Sequence, residues 1–215
     1  MKTIITISRE YGSGGHTIGK LLSEKLNIPF YDKELIDMTA QESGLSPDFI
    51  KTNEQSISSA WLYNLMLGSC CTAPASTGVT SGIGGRTNLP LVDQVFNAQR
   101  QVIINLAEKG PCVIVGRCSD YILRHSGTIP RDKLLNVFIY APIEDKVKRA
   151  VEQKGLDPAT AEKEIRQIDK RRANHYNTFT ERTWGNREHY DLLINSSLLG
   201  LERTADMLAK IVRES

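Results

Sequence analysis

The chain alternates short runs of β-branched or continuous apolar residues with longer stretches whose apolar positions recur every three or four residues. Five runs predict strands: residues 3–8, 28–31, 112–116, 135–140 and 190–194. Val113–Val115 and Val137–Tyr140 are nearly unbroken in hydrophobicity, the pattern of parallel strands covered on both faces. Helical spacing falls between them. Ile18, Leu21, Leu22 and Leu26 form a stripe over 15–26, with Lys20, Glu24 and Lys25 turned outward. Val92, Val95, Phe96, Ile103 and Leu106 do the same over 92–108, and Ala205, Leu208, Ala209 and Val212 over 202–213. Strands alternating with helices predict an α/β fold around a doubly wound parallel sheet.

Two stretches break the alternation. Residues 34–90 begin as a helix and end in Thr72–Leu89, a Gly/Ser/Thr/Pro-rich segment read as a loop. Residues 153–187 are charged and helical before Trp184, Gly185 and Asn186. Both read as elaborations of a single domain spanning 1–215, and no internal repeat is evident.

Composition narrows the function classes. Lys and Arg number 27 against 25 Asp and Glu, a net charge of +2 that argues against nucleic-acid and membrane partners. Cys70 and Cys71 are adjacent and cannot supply a CxxC knuckle, and Cys112 falls in a strand. His125, His175 and His189 are scattered without metal-ligand spacing. No apolar run is long enough for a bilayer, and the N-terminus runs straight into Thr3–Ser8, so the expectation is a cytoplasmic protein with reduced thiols.

The strongest local signal is Ile7–Gly19 (ISREYGSGGHTIG), between the first strand and the first helix. Glycine allows close approach and positive φ, so backbone N–H groups can converge on an anion, and the helix N-terminus adds unpaired donors. The cradle comprises Gly12, Ser13, Gly14, Gly15, His16 and Thr17. Thr17 has a hydroxyl placed for phosphate or Mg²⁺. The pattern is not GxGxxG, because Thr17 occupies the third glycine position. Against GxxxxGK, Arg9 takes the first glycine, Gly14 the second, and Gly15 stands where the lysine belongs. Another cation must then neutralise the terminal phosphates: Arg9 first, Arg117 second. The bland alternative is a glycine-rich turn that binds nothing.

Taken with Pro29–Ile36 (PFYDKELI), Val113–Tyr121 (VIVGRCSDY) and Tyr190–Ser197 (YDLLINSS), this loop makes the chain resemble the cytidylate kinase-like family of P-loop proteins. The resemblance implies a P-loop NTPase fold with a five-stranded parallel sheet flanked by helices. It also implies an acceptor-binding insertion at 34–90, a helical lid at 153–187, and transfer of the ATP γ-phosphoryl group to a nucleoside monophosphate with Mg²⁺. Gly12, Ser13, Gly14 and Thr17 match the family's phosphate loop, and Gly15 replaces its lysine. Asp32 matches an acidic residue after the second strand, while Lys33, Asp37 and Met38 stand where the family holds CMP. Gly116 and Arg117 resemble the segment whose arginine faces the acceptor phosphate, with Asp120 displaced by two residues. Arg166, Lys170, Arg171 and Arg172 approximate the lid's basic pattern.

Each candidate has a structural alternative. Arg117, at the carboxyl edge of the sheet, is an anion ligand or half of a salt bridge. Arg166 and Lys170 share a helix face, and with Arg171 and Arg172 they close over phosphates or form a solvated face beside Glu162, Glu164 and Asp169. Asp32 orients Mg²⁺-bound water or the acceptor, or caps the helix that follows Asp32. Trp184 and Tyr176 stack on a base or pack the lid, and Arg86 enters the site on closure or stays out. Two functions follow: a phosphotransferase, or a nucleotide-binding sensor that keeps the cradle and lacks efficient transfer.

Overall fold

The computed structural model describes residues 3–48, 50 and 91–214. The expectations placed on Cys70, Cys71, Arg86 and most of the 34–90 insertion lie outside the described residues. Strand β1 (Ile4–Arg9) leads through the glycine-rich turn into α1 (Gly15–Leu26), followed by β2 (Phe30–Tyr31) and α2 (Glu34–Ser43). Then come α3 (Leu91–Lys109), β3 (Cys112–Val115), α4 (Ser119–Arg124), β4 (Leu134–Tyr140) and α5 (Ile143–Lys154). The chain continues through α6 (Ala161–Thr180), β5 (Leu192–Asn195), α7 (Ser196–Leu199) and α8 (Leu201–Glu214).

The five strands form one parallel sheet in the order β2-β3-β1-β4-β5. Strand β1 lies at its centre, with Ile7 opposite both Val115 and Val137. Alternation along β1 divides the core into two layers. Ile5 and Ile7 face Ile18 and Leu22 of α1 and Leu208 of α8. Ile4 faces the other way, toward Ile103 of α3 and Ile122 and Leu123 of α4. These side chains are almost wholly buried, and each contributes about 1.5–3 kcal/mol relative to exposure. On the Ile4 face, Thr6 Oγ1 donates to Asn136 Oδ1 across 2.7 Å, tying β1 to β4 through a buried polar pair.

The differences from the sequence reading have local causes. The run at 28–31 supplies only Phe30 and Tyr31 to the sheet, on an edge strand paired with β3 alone. Ile28 N is instead taken by Ser23 O at the end of α1. Strand β5 starts at Leu192, two residues later than expected, because Asp191 turns its carboxylate back to Asn136 N and to Arg131. The charged region 153–187 resolves into the end of α5, a break at Gly155 (φ +68°) and the long α6. No helix among the described residues is long and apolar enough to cross a membrane.

Candidate active site

The central position of β1 delivers its C-terminal end to the crevice where connections leave in opposite directions, the place where open α/β sheets bind ligands. There the chain turns through Gly12 (φ +76°) and Gly14 (φ +81°) into α1. The turn is held from outside by its carbonyls. Arg172 Nη1 donates to Arg9 O (3.0 Å), Arg149 Nη1 to Gly12 O (3.1 Å) and Ser196 Oγ to Ser13 O (2.6 Å). Ser13 Oγ donates to Glu10 O. With the oxygens engaged outward and no side-chain cap on α1, the first-turn amides of Gly15, His16 and Thr17 remain available to an anion. The donor set and the uncapped dipole fit phosphate oxygens.

The side chain of Arg9 lies between two glycines. A Cβ on Gly15 would meet Arg9 Cβ at 2.5 Å and Cγ at 3.0 Å, and one on Gly116 would collide with Arg9 Nη1. Arg9 therefore fills the space a side chain at position 15 would need. Its Nη2 donates to Asp32 Oδ1 (3.3 Å), and it lines a cavity of about 450 Å³ together with Arg117, Arg171 and Arg172.

Arg172 sits over the Tyr11 ring at 5.6 Å. Burial pushes the Arg117 guanidinium down to about 10 and Arg172 down to about 9, and the nearby Arg9 charge pushes both the same way. Burial lowers Arg9 as well, against the pull of Asp32 and Asp169. Arg117 and Arg172 remain cationic at neutral pH, so an entering anion relieves the repulsion each feels from Arg9. The loop that presents Arg117 is strained: Gly116, Arg117 and Cys118 are consecutive left-handed residues, at φ +76°, +59° and +54°. Gln99 of α3, itself buried, donates Nε2 to Arg117 O and braces that turn.

The structure sorts the sequence candidates. Arg9, Arg117, Arg171 and Arg172 come together at the cavity. Arg166 does not: it points to solvent and pairs with Glu162 one helical turn away. Asp32 does not cap α2, whose first turn lacks a side-chain cap. It is buried with one oxygen on Arg9 and the other 2.7 Å from His16 Nδ1, so each of its oxygens already has a protein partner. His16 is thus tied to Asp32 and stands edge-on to Phe30. Thr17 lies exposed on the first turn of α1, and Lys33 and Asp37 are exposed on and before α2, outside the cavity lining. Asp120 faces inward, accepting from Tyr176 Oη (2.7 Å) and Ser8 Oγ (3.4 Å), and burial raises its carboxyl.

Several contributors were invisible in sequence. Lys146 of α5 is buried between Glu10 (3.0 Å) and Asp169 (3.1 Å), and Asp169 also accepts Tyr11 N at 2.7 Å. That triad fastens the phosphate loop to α5 and α6, and a Cβ on Gly12 would strike Lys146 O at 2.8 Å. Arg149 bridges the loop to Ser196 and Ser197 of α7. Partners so distant in sequence leave no spacing signal. The basic pattern of α6 does run as far as His175, which also lines the cavity.

Comparison with curated protein sequences returns no match. Among solved structures, an uncharacterised protein from Eubacterium ventriosum ATCC 27560 is similar over the whole of both chains, at 27% identity and a TM-score of 0.69. Shikimate kinase from Bacteroides thetaiotaomicron is similar at 16% identity and a TM-score of 0.51, over 98% of each chain. Shikimate kinase from Acinetobacter baumannii, in complex with shikimate, is similar at 14% identity and a TM-score of 0.50, over all of this chain and 94% of its own. At those last two identities the likeness is one of fold, and the fold is that of the P-loop kinases. A sequence profile described as the cytidylate kinase-like family matches residues 4–198, from the first residue of β1 into α7, and the chain belongs to that family.

Proposed function

We propose that the protein is a cytoplasmic phosphotransferase that moves the γ-phosphoryl group of ATP to a nucleoside monophosphate or a similar small acceptor. The observation that carries this reading is the convergence of Arg9, Arg117 and Arg172 on a cavity that reaches Tyr11, where the glycine-rich turn into the uncapped α1 begins. Phosphoryl transfer needs positioning and neutralisation of charge rather than a covalent nucleophile on the protein. The loop amides hold the nucleotide phosphates. Arg9 takes the neutralising role of the missing lysine, Arg172 closes from α6, and Arg117 anchors the acceptor's anionic group. Mg²⁺, when bound, would supply further charge neutralisation, and Thr17, exposed on the first turn of α1, would hold it through its hydroxyl.

A second reading, a nucleotide-binding sensor, is favoured by Gly15, which lacks a lysine and has no room for one. Calorimetry with a non-hydrolysable ATP analogue, combined with ADP release across nucleoside monophosphates and small alcohols, separates the two. Turnover with any acceptor supports the transferase. Tight binding without turnover supports the sensor, and no nucleotide binding removes both.

A further inference from the structure

Helix α3 buries an apolar stripe of Val95, Val102, Ile103 and Leu106, and Gln99 lies on that stripe, 2% exposed. Burying an amide costs free energy unless it is bonded, so a glutamine is kept among such side chains where it makes a bond. Its Nε2 donates to Arg117 O at 3.2 Å. Arg117 is the middle of three consecutive left-handed residues, and it and Cys118 carry side chains that disfavour that backbone. The neighbouring carbonyls are held locally: Gly116 O accepts from Ser119 N at 3.0 Å and Cys118 O from Ile122 N at 2.9 Å. Arg117 O is tied instead to a different helix. The turn also abuts Arg9, since a Cβ on Gly116 would collide with Arg9 Nη1. One helical turn before Gln99, Phe96 stacks on Phe179 of α6 at 4.3 Å and 9°. Helix α3 thus braces both the Arg117 turn and the helix that carries Arg171 and Arg172, while neither Gln99 nor Phe96 lines the cavity.

We infer that Gln99 is a positioning residue of the acceptor site: its amide holds the left-handed turn that aims Arg117, so affinity for the acceptor depends on a side chain outside the cavity. This rests on the reading of Arg117 as the anchor of the acceptor's anionic group. The nucleotide loop is held by other contacts, from Arg172 to Arg9 O, Arg149 to Gly12 O and Ser196 to Ser13 O. Losing the Gln99 bond therefore loosens the Arg117 turn and leaves that loop as it is. Acceptor affinity and nucleotide affinity can then be separated by one buried substitution.

The test is equilibrium binding of CMP, UMP, AMP and GMP, and separately of a non-hydrolysable ATP analogue, to the full chain, Gln99→Met, Arg117→Ala and the double variant. Methionine keeps the length of glutamine, suits the apolar stripe and cannot donate; Gln99→Leu carries the same expectation should the methionine variant not fold. The expected result is that Gln99→Met weakens the tightest-bound monophosphate about tenfold and leaves the ATP analogue within about twofold. Adding Gln99→Met to Arg117→Ala should weaken the monophosphate no further, because the glutamine acts through that arginine. Unchanged monophosphate affinity in Gln99→Met overturns the inference, as do equal losses for monophosphate and analogue or a full additional loss in the double variant. Each of those outcomes leaves the acceptor reading intact. Wild-type protein that binds none of the four monophosphates, or Arg117→Ala that binds them as well as wild type, overturns the acceptor reading, and the inference falls with it.

Discussion

The stem of Arg9 lies over the Cα of Gly15, so close that a Cβ on Gly15 would come within 2.5 Å of Arg9 Cβ. The missing lysine at position 15 and the arginine at position 9 are thus one arrangement. A phosphate loop with glycine at this point leaves a channel, and the arginine from the preceding strand runs through it to Asp32 and Gly116.

That packing predicts strong coupling between the two positions. Gly15→Ala should lower stability by about 1–3 kcal/mol through overpacking, read as a fall in thermal midpoint. In an Arg9→Gly background the same change should be nearly free, since both the Cβ and the Cγ that obstruct it are gone. A double-mutant cycle in which the two effects simply add would refute the arrangement.

Arg172 and Arg166 lie on the same helix and should behave differently. Arg172 donates to the phosphate loop and faces the cavity, so Arg172→Ala should lower kcat/KM by roughly 10²-fold, the scale of a lost transition-state donor. Arg166 forms an exposed pair with Glu162, and Arg166→Ala should stay within about twofold of the parent. Equal losses in steady-state kinetics would mean the clamp has been misplaced.

Lys146 predicts a stability effect with a functional echo. Lys146→Met leaves the partly buried Glu10 and Asp169 without their shared cation, a change that costs about 1–3 kcal/mol. Urea denaturation should show the loss. Adding Asp169→Asn to Lys146→Met should return part of it, because one of the orphaned charges disappears. No recovery in the double variant would argue that the triad is not what holds the loop to α6.

The pH dependence follows from His175. Its folded value, about 4, lies below the ordinary 6.5, so the unfolded chain binds the extra proton first. The stability contributed by keeping this ring neutral is fully present above pH 6.5 and is lost as the pH falls toward 4. His175→Asn should flatten that acid limb in thermal scans between pH 4 and 7. A limb of unchanged slope would show that the ring ionises normally in the folded protein.

How much of this was legible in sequence varies with the kind of signal. The cradle Gly12–Thr17 and the strand before it are contiguous, and glycine content and apolar continuity report them directly. Arg117 was legible by its place after a strand ending in glycine. Its strained left-handed backbone was not, and the contact that braces it comes from Gln99, 18 residues earlier. Helices α4 and α5 escaped the reading. The first is a six-residue turn, and the second carries a charged sequence whose role lies in tertiary contacts of Lys146 and Arg149.

By itself the chain's order of residues determined the α/β alternation, the family resemblance, the glycine turn and the absence of a lysine at position 15. These are properties of neighbouring residues, where periodicity, φ preference and side-chain chemistry act without reference to the rest of the molecule. Only the tertiary structure decided which cations meet. The parallel order β2-β3-β1-β4-β5 brings the ends of β1 and β3 side by side beneath α6, and Arg172 reaches Arg9 O across 163 positions of sequence. The same geometry turned Arg166 outward, gave Asp32 to Arg9 and His16, and brought His175 to the cavity wall. Burial and packing set such encounters, and both arise only when distant segments close on one core.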